Sequence, residues 1–184
     1  MVGMHTNVIL TLTGPDRVGL VEDVTRRILE RGGNIETSRM ARLGGAFAIL
    51  SLISLPAAQL AGLEAAFEPL VAQGYKLTLS QVGQAHGERY AGWSPYQIEV
   101  HGADHEGIIH HVAHVLAESG ITIESMDTST VSAAMSGSPL FSMKALVLVP
   151  PGLPRDSWES ALHRAGRDMN VDVVVSATHI PEAH

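Results

Sequence analysis

One pattern of apolar and polar positions runs through the chain twice. Residues 7–13 are rich in β-formers, and Leu20, Val21, Val24 and Ile28 then recur at helical spacing until Gly32-Gly33, a stop signal for a helix. Residues 35–43 and 46–55 flank Gly44-Gly45 and predict a hairpin with a glycine turn. Pro56 opens a second helical pattern, with Leu60, Leu63, Phe67, Leu70 and Val71 on one face, and residues 76–82 alternate as a last strand. The order is βαββαβ. The same order returns in residues 96–101, 108–118, 121–131, 140–149, 157–167 and 171–177, where Ile108, Ile109, Val112 and Leu116 are expected to be the buried face of the first helix.

The two copies align residue by residue. TGPDRVGLVEDVTRRILERGGNIETS, from Thr13, lies over HGADHEGIIHHVAHVLAESGITIESM, from His101, without a gap, at a spacing of 88 (104 − 16). Gly14 meets Gly102, Asp16 meets Asp104, Gly19 meets Gly107 and Gly32 meets Gly120, a register that chance does not produce. Further on, FAILSLISLP from Phe47 lies over FSMKALVLVP from Phe141 at a spacing of 94 (141 − 47). The second copy therefore carries an insertion within residues 132–139, read as a hairpin loop. A βαββαβ unit of this length predicts a four-stranded antiparallel sheet with both helices on one face, so the expected class is α+β with two ferredoxin-like domains in tandem. The expected limits are 1–83 for the first domain, 84–95 for a linker and 96–184 for the second.

Composition narrows the function. The chain lacks cysteine, which removes disulfides, thiolate metal sites, iron–sulfur clusters and cysteine nucleophiles, and a cytoplasmic location fits best. The formal charge of −7 is uneven: eight basic residues balance eight acidic ones up to Gly92, while four face eleven from Trp93 onward. The second half should repel a phosphate backbone. The N-terminus lacks the features of a secretory leader. Residues 43–63 carry no charge, but Gly44-Gly45, Ser51, Ser54, Pro56 and Gln59 interrupt them, so a buried strand and a helix are expected there and no membrane span.

Unusual residues concentrate where the first strand of each copy turns into the first helix. Gly19 and Gly107 are costly inside a helix, and at its N-terminus they would expose amides that attract a carboxylate. Asp16 and Asp104, three residues earlier, could face an ammonium group, and the pair suits a free amino acid. The competing reading makes each Asp a helix N-cap and each Gly an aid to close packing.

The pattern GPDRVGLV…ERGGNIETSRMARLGGAFAILSLI resembles the first ACT domain of the glycine cleavage system transcriptional repressor family, and the second copy resembles its more divergent second ACT domain. The likeness runs from about residue 7 to about residue 177. It implies a module that binds amino acids, usually between two units. By this resemblance the ligand contacts fall on Asp16, Arg17, Val18, Gly19, Asn34 and Ile35, and in the second copy on Asp104, Gly107 and Thr122. Thr122 departs from the Asn-Ile pattern of Asn34-Ile35. The resemblance further implies a repressor of glycine-cleavage genes that responds to glycine and acts through a DNA-binding activator, without cofactor or catalysis. No basic recognition helix is left over once both units are placed, so no direct contact with nucleic acid is expected. A homodimer is compatible with this reading, as is an ACT regulator of a metabolic enzyme that answers to another amino acid.

Other readings attach to particular residues. His105, His110, His111 and His114 could bind metal, but their counterparts Glu22, Asp23 and Arg26 in the first copy mark that stripe as a solvated face, and spacing fixes no third ligand. RNA-recognition motifs share the strand order but stack bases on aromatics of the first and third strands, where the first copy has only Phe47 and the second offers Tyr96 and Phe141 within the acidic half. A copper chaperone would need cysteines. An enzyme would need a nucleophile–base pair, and none stands out. Arg39 and Arg42, beside the glycine turn, are candidates for docking an acidic partner, and the 132–139 loop for a lid.

Overall fold

The computed structural model describes residues 5–82, 89–132 and 137–179, which form two compact units, 1–87 and 88–184. In the first unit β1 (His5–Pro15), α1 (Leu20–Glu30), β2 (Asn34–Leu43), β3 (Ala46–Pro56), α2 (Leu60–Ala72) and β4 (Lys76–Val82) follow one another. The strands form one antiparallel sheet ordered β2-β3-β1-β4. Alternation along β1 turns Val8, Leu10 and Leu12 to the helices, and β3 does the same with Ile49, Ile53 and Leu55. Leu20, Val24 and Ile28 of α1 and Leu63, Phe67 and Leu70 of α2 cover them from the other side. Leu50, of opposite parity in β3, stays 49% exposed, as a sheet with helices on one face only requires.

The second unit repeats this plan with β5 (Ser94–Ala103), α3 (Ile108–Glu118), β6 (Thr122–Ser132), β7 (Pro139–Val149), α4 (Arg155–Asp168) and β8 (Val171–Ala177), in the order β6-β7-β5-β8. Its separate core gathers Ile98, Val100, Met143 and Val147 against Ile108, Val112, Leu116, Trp158 and Leu162. Both units are therefore ferredoxin-like, and the molecule is α+β as the sequence pattern predicts. The repeat extends to an irregularity: the register slips between Ile35 and Thr37 in β2, and between Ile123 and Ser125 in β6. A bulge at one position of both copies is a conserved feature of the duplicated backbone plan rather than local noise.

Several details differ from the pattern. Val21 (39%) and Val71 (50%) are exposed, because helical spacing alone marks a stripe wider than the sheet covers. Ile109 is exposed for the same reason. Pro56 ends β3 with extended backbone (ψ 129) instead of opening the helix, and α2 begins only after a single 3-10 turn, Ala57–Gln59. β5 starts at Ser94, inside the stretch read as linker, because Ser94 and Pro95 pair with Val149 and Leu148. The rest of that reading, and the insertion at 132–139, fall partly on residues 83–88 and 133–136, outside the described residues.

Candidate functional site

The repeated turn contains two kinds of glycine. Gly14 and Gly102, at the strand end, have no room for a side chain: a Cβ on Gly14 would run into the Tyr75 ring, and one on Gly102 would lie 2.7 Å from Val171 Cγ1. Gly19 and Gly107 have space, with nothing within 4 Å of a Cβ on Gly19. What they supply is positive φ, 81° and 95°, in the left-handed region that costs other residues about 1–2 kcal/mol. They are the N-caps of α1 and α3, and no side chain caps either helix. Asp16 and Asp104 are therefore not caps, and close packing is not what selects glycine at the helix start. The first helical bonds run from Asp23 N–H to the Gly19 carbonyl and from His111 N–H to the Gly107 carbonyl. The amides of Val21, Glu22, Ile109 and His110 precede those bonds and point out of the helix end.

Each Asp instead leans toward the second strand of its own unit. Its amide donates to the hairpin, from Asp16 to the Gly45 carbonyl and from Asp104 to the Pro139 carbonyl. Its carboxylate meets residue 42 or residue 130: Arg42 Nη1 lies 3.6 Å from Asp16 Oδ2, and Thr130 Oγ1 donates to Asp104 Oδ2 at 3.3 Å. Arg42 and Thr130 occupy equivalent places, 88 residues apart. On the second strand Asp16 thus has a cationic partner and Asp104 a neutral one.

The residue after each Asp secures the turn from below. In the first unit Arg17 Nη2 donates to Asp23 Oδ2 at 2.7 Å and its guanidinium lies 6.0 Å from the centre of the Tyr75 ring. Tyr75 in turn donates its hydroxyl to the Pro15 carbonyl at 2.8 Å. Asp23 also accepts from Arg26 and Arg27. Burial pushes the Asp23 carboxyl up, but the hydrogen bond from Arg17 and the charge of Arg27 outweigh it and hold the group below the ordinary carboxylate value. In the second unit His105 stands where Arg17 does, Met169 where Tyr75 does and His111 where Asp23 does. His105 Nε2 lies 2.6 Å from the Met169 carbonyl and Nδ1 3.1 Å from the Glu106 carbonyl, while His111 Nδ1 donates to the Gly107 carbonyl at 2.9 Å.

Beside this second turn lies an open depression of about 640 Å³, lined by Asp104, His105, Gly107 and His110, by Ile108, Ile109 and Phe141, and by residues 128–130 of β6. In the first unit a depression of about 440 Å³ runs along α1, from Glu22 in its first turn past Arg26 and Leu29 to Asn34 and Ile35 beyond its far end. Asn34 Nδ2 donates to Glu36 Oε1 there. Eleven helical residues, about 16 Å of α1, separate Gly19 from Asn34, and α3 likewise separates Gly107 from Thr122. The residues expected around one ligand thus fall into two groups within each unit: Asp16, Arg17, Val18 and Gly19 at one helix end, with Val18 fully exposed, and Asn34 and Ile35 at the other. Periodicity could not reveal Tyr75, Thr130 or Met169 as parts of the turn, since each reaches it from a distant element. The spacing of 88 does map Arg42 onto Thr130.

Among solved structures, a protein of unknown function from Galdieria sulphuraria superposes with a TM-score of 0.85 at 30% identity, over 96% of this chain and 100% of that one. The family model of the ACT domain matches residues 6–79. The first unit is an ACT domain. ACT domains are regulatory modules that bind small amino acids and often dimerise. The tandem architecture also matches a candidate glycine cleavage system transcriptional repressor, TM-score 0.69, over 96% of this chain and 99% of that one, and at 20% identity this shows a shared fold. Among curated proteins none matches.

The remaining groups form no second centre. His105, His110, His111 and His114 are all exposed, with the His110 and His114 rings stacked at 6.1 Å and His114 Nε2 3.5 Å from Glu118 Oε1. Among the described residues no three His, Cys, Asp or Glu side chains are placed to hold a metal, and no helix is long and apolar enough to cross a membrane. Arg39 bonds the Ser38 carbonyl at the edge of the sheet.

Proposed function

We propose that this ACT protein is a cytoplasmic, non-enzymatic sensor of a small amino acid that passes its state to a protein partner. The observation that carries the reading is the turn kept in both copies, a glycine-capped helix start with free amides and a carboxylate three residues before it. The amides and the helix dipole suit the ligand carboxylate, and Asp16 or Asp104 suits its ammonium group by a charge-assisted hydrogen bond. The depression favours the second unit: Asp104 and Gly107 line it together, while Arg42 lies 3.6 Å from Asp16 and would oppose an incoming ammonium. Thr122, like Asn34, lies a helix length from the turn of its own unit and would reach such a ligand only from another unit, which a homodimer would supply.

Glycine is the ligand that the likeness to the candidate glycine cleavage system transcriptional repressor suggests, and a DNA-binding activator is the partner that the sequence resemblance implies. The acidic second half supports an effect on genes through such a partner and not by direct contact with nucleic acid. The depression beside Asp104 is larger than glycine needs and partly apolar, and this favours, as a second reading, an ACT regulator that answers to a bulkier amino acid. Calorimetric titration of the full chain with each common amino acid tests both. A saturable heat from one of them, lost in Asp104→Ala and weakened less in Asp16→Ala, is the expected result. If none of the amino acids gives heat, the sensing role falls.

A further inference from the structure

His105 is held in an unusual way for an exposed histidine. Both ring nitrogens face backbone carbonyls, Nε2 the Met169 carbonyl at 2.6 Å and Nδ1 the Glu106 carbonyl at 3.1 Å. A carbonyl oxygen only accepts, so both bonds form only when both nitrogens carry hydrogen, which is the imidazolium form. A neutral ring has one N–H and satisfies one of them. The bond to Met169 spans 64 residues and ties the turn before α3 to the end of α4, where Asn170 takes a positive φ of 50° before β8 begins. The first unit makes the corresponding tie with Arg17 against Asp23 and Tyr75, and a guanidinium keeps its charge at any pH a protein meets.

We propose that His105 is a proton-operated latch on the turn of the second unit: as imidazolium it pins Asp104–Gly107 to the Met169 carbonyl, and loss of its proton releases one of the two bonds and frees the turn. The depression beside Asp104, which this turn borders, then loses a fixed wall and a fixed positive charge together. The ring sits between its own turn, with Asp104 and Glu106, and the end of α4, where Arg167 and Asp168 come just before Met169 in the chain; His110 of α3 and the neutral Thr128, Ser129 and Thr130 of β6 line the same depression. The carbonyl of Met169, then that of Glu106, and more weakly the charge of Asp104 favour the protonated ring and raise its pKa above the ordinary 6.5, against a smaller cost of desolvation. Exposure lets protons reach the ring freely. The latch is therefore closed below the ordinary histidine range and opens as pH rises through the raised value.

For control of a ligand this inference rests on the reading of the turn as an amino-acid site, but the latch itself does not. NMR titration of the full chain from pH 5 to 9 tests it, following the His105 ring, the Met169 carbonyl carbon and the amides of residues 104–107 and 170. The expected result is a His105 midpoint above 6.5, shared by the Met169 and turn signals, with the amides of residues 16–19 flat over that range. In His105→Gln the shared transition should vanish, and in His105→Arg the Met169 and turn signals should stay in the low-pH position throughout; retained core signals of the second unit show that both variants fold. A His105 midpoint at or below 6.5, or a Met169 carbonyl that does not follow it, overturns the latch. Amino-acid titrations at both ends of the range separate the two ideas. Binding that weakens across the His105 transition supports both, binding with no such dependence leaves the site and overturns control by the latch, and no binding with an intact transition removes the site and keeps the latch.

Discussion

The turns at residues 14–19 and 102–107 have the same backbone, the same two glycines and the same acid, yet different chemistry secures them. The first is tied by permanent charge: Arg17 lies between Asp23 and the Tyr75 ring, and Tyr75 reaches back to the Pro15 carbonyl. The second is tied by a titratable ring to a backbone carbonyl. The acids differ in the same sense, since Asp16 has Arg42 beside it and Asp104 has Thr130. Duplication thus preserved the geometry of the turn and let its electrostatics diverge, so that one carboxylate faces a guanidinium and the other a hydroxyl and a titratable ring.

Substitutions can break this comparison at several levels. The largest effects belong to the cores. Trp158→Ala should cost about 3–5 kcal/mol and unfold the second unit while leaving the amide signals of the first in place, and Phe67→Ala should do the reverse. Urea unfolding followed by resolved amide signals checks both, and a single shared transition in either variant would contradict separate cores. Next come the positive-φ glycines. Gly19→Ala and Gly107→Ala should each cost about 1–2 kcal/mol in urea unfolding, because both positions hold a positive φ.

A smaller effect separates side-chain from backbone anchoring. Tyr75→Phe should cost about 1 kcal/mol and speed exchange of the Asp16 amide, because the hydroxyl bond to Pro15 is lost. Met169→Leu at the equivalent place should leave the Asp104 amide unchanged, since there the carbonyl makes the contact. Smaller still, and opposite in sign, are the responses to pH. Asp23 has a lowered pKa, so its contribution is present above the ordinary carboxyl value and is lost as pH falls through the lowered one. His105 has a raised pKa, so its contribution is complete below 6.5 and is lost as pH rises through the raised one. Amide exchange should therefore loosen the first turn as pH falls through the lowered Asp23 value and the second as pH rises through the raised His105 value.

What the sequence revealed follows from what periodicity encodes. The helical spacing of Leu20, Val24 and Ile28, the alternation around Leu10 and the glycines at fixed offsets identify strand, helix and repeat, because each is a local property of the chain. The exposure of Ile109 and Val71 was not legible, since it depends on how wide a stripe the sheet covers. Nor was the division of the expected ligand residues between the two ends of α1. Asn34 lies close to Gly19 in sequence but a helix length away in space. The anchors of the turns, Tyr75, Thr130 and the Met169 carbonyl, come from elements far along the chain, and only three-dimensional pairing brings them in.

The most direct test of the account is amide shift mapping of the full chain against glycine and the other small amino acids. The expected result is saturable shifts centred on residues 104–110, with weaker ones at 16–22, abolished at the first place by Asp104→Asn. Shifts confined to the groove at residues 34–35, or shifts at residues 104–110 that survive Asp104→Asn unchanged, would contradict the assignment of the capped turn as the cradle for the ligand.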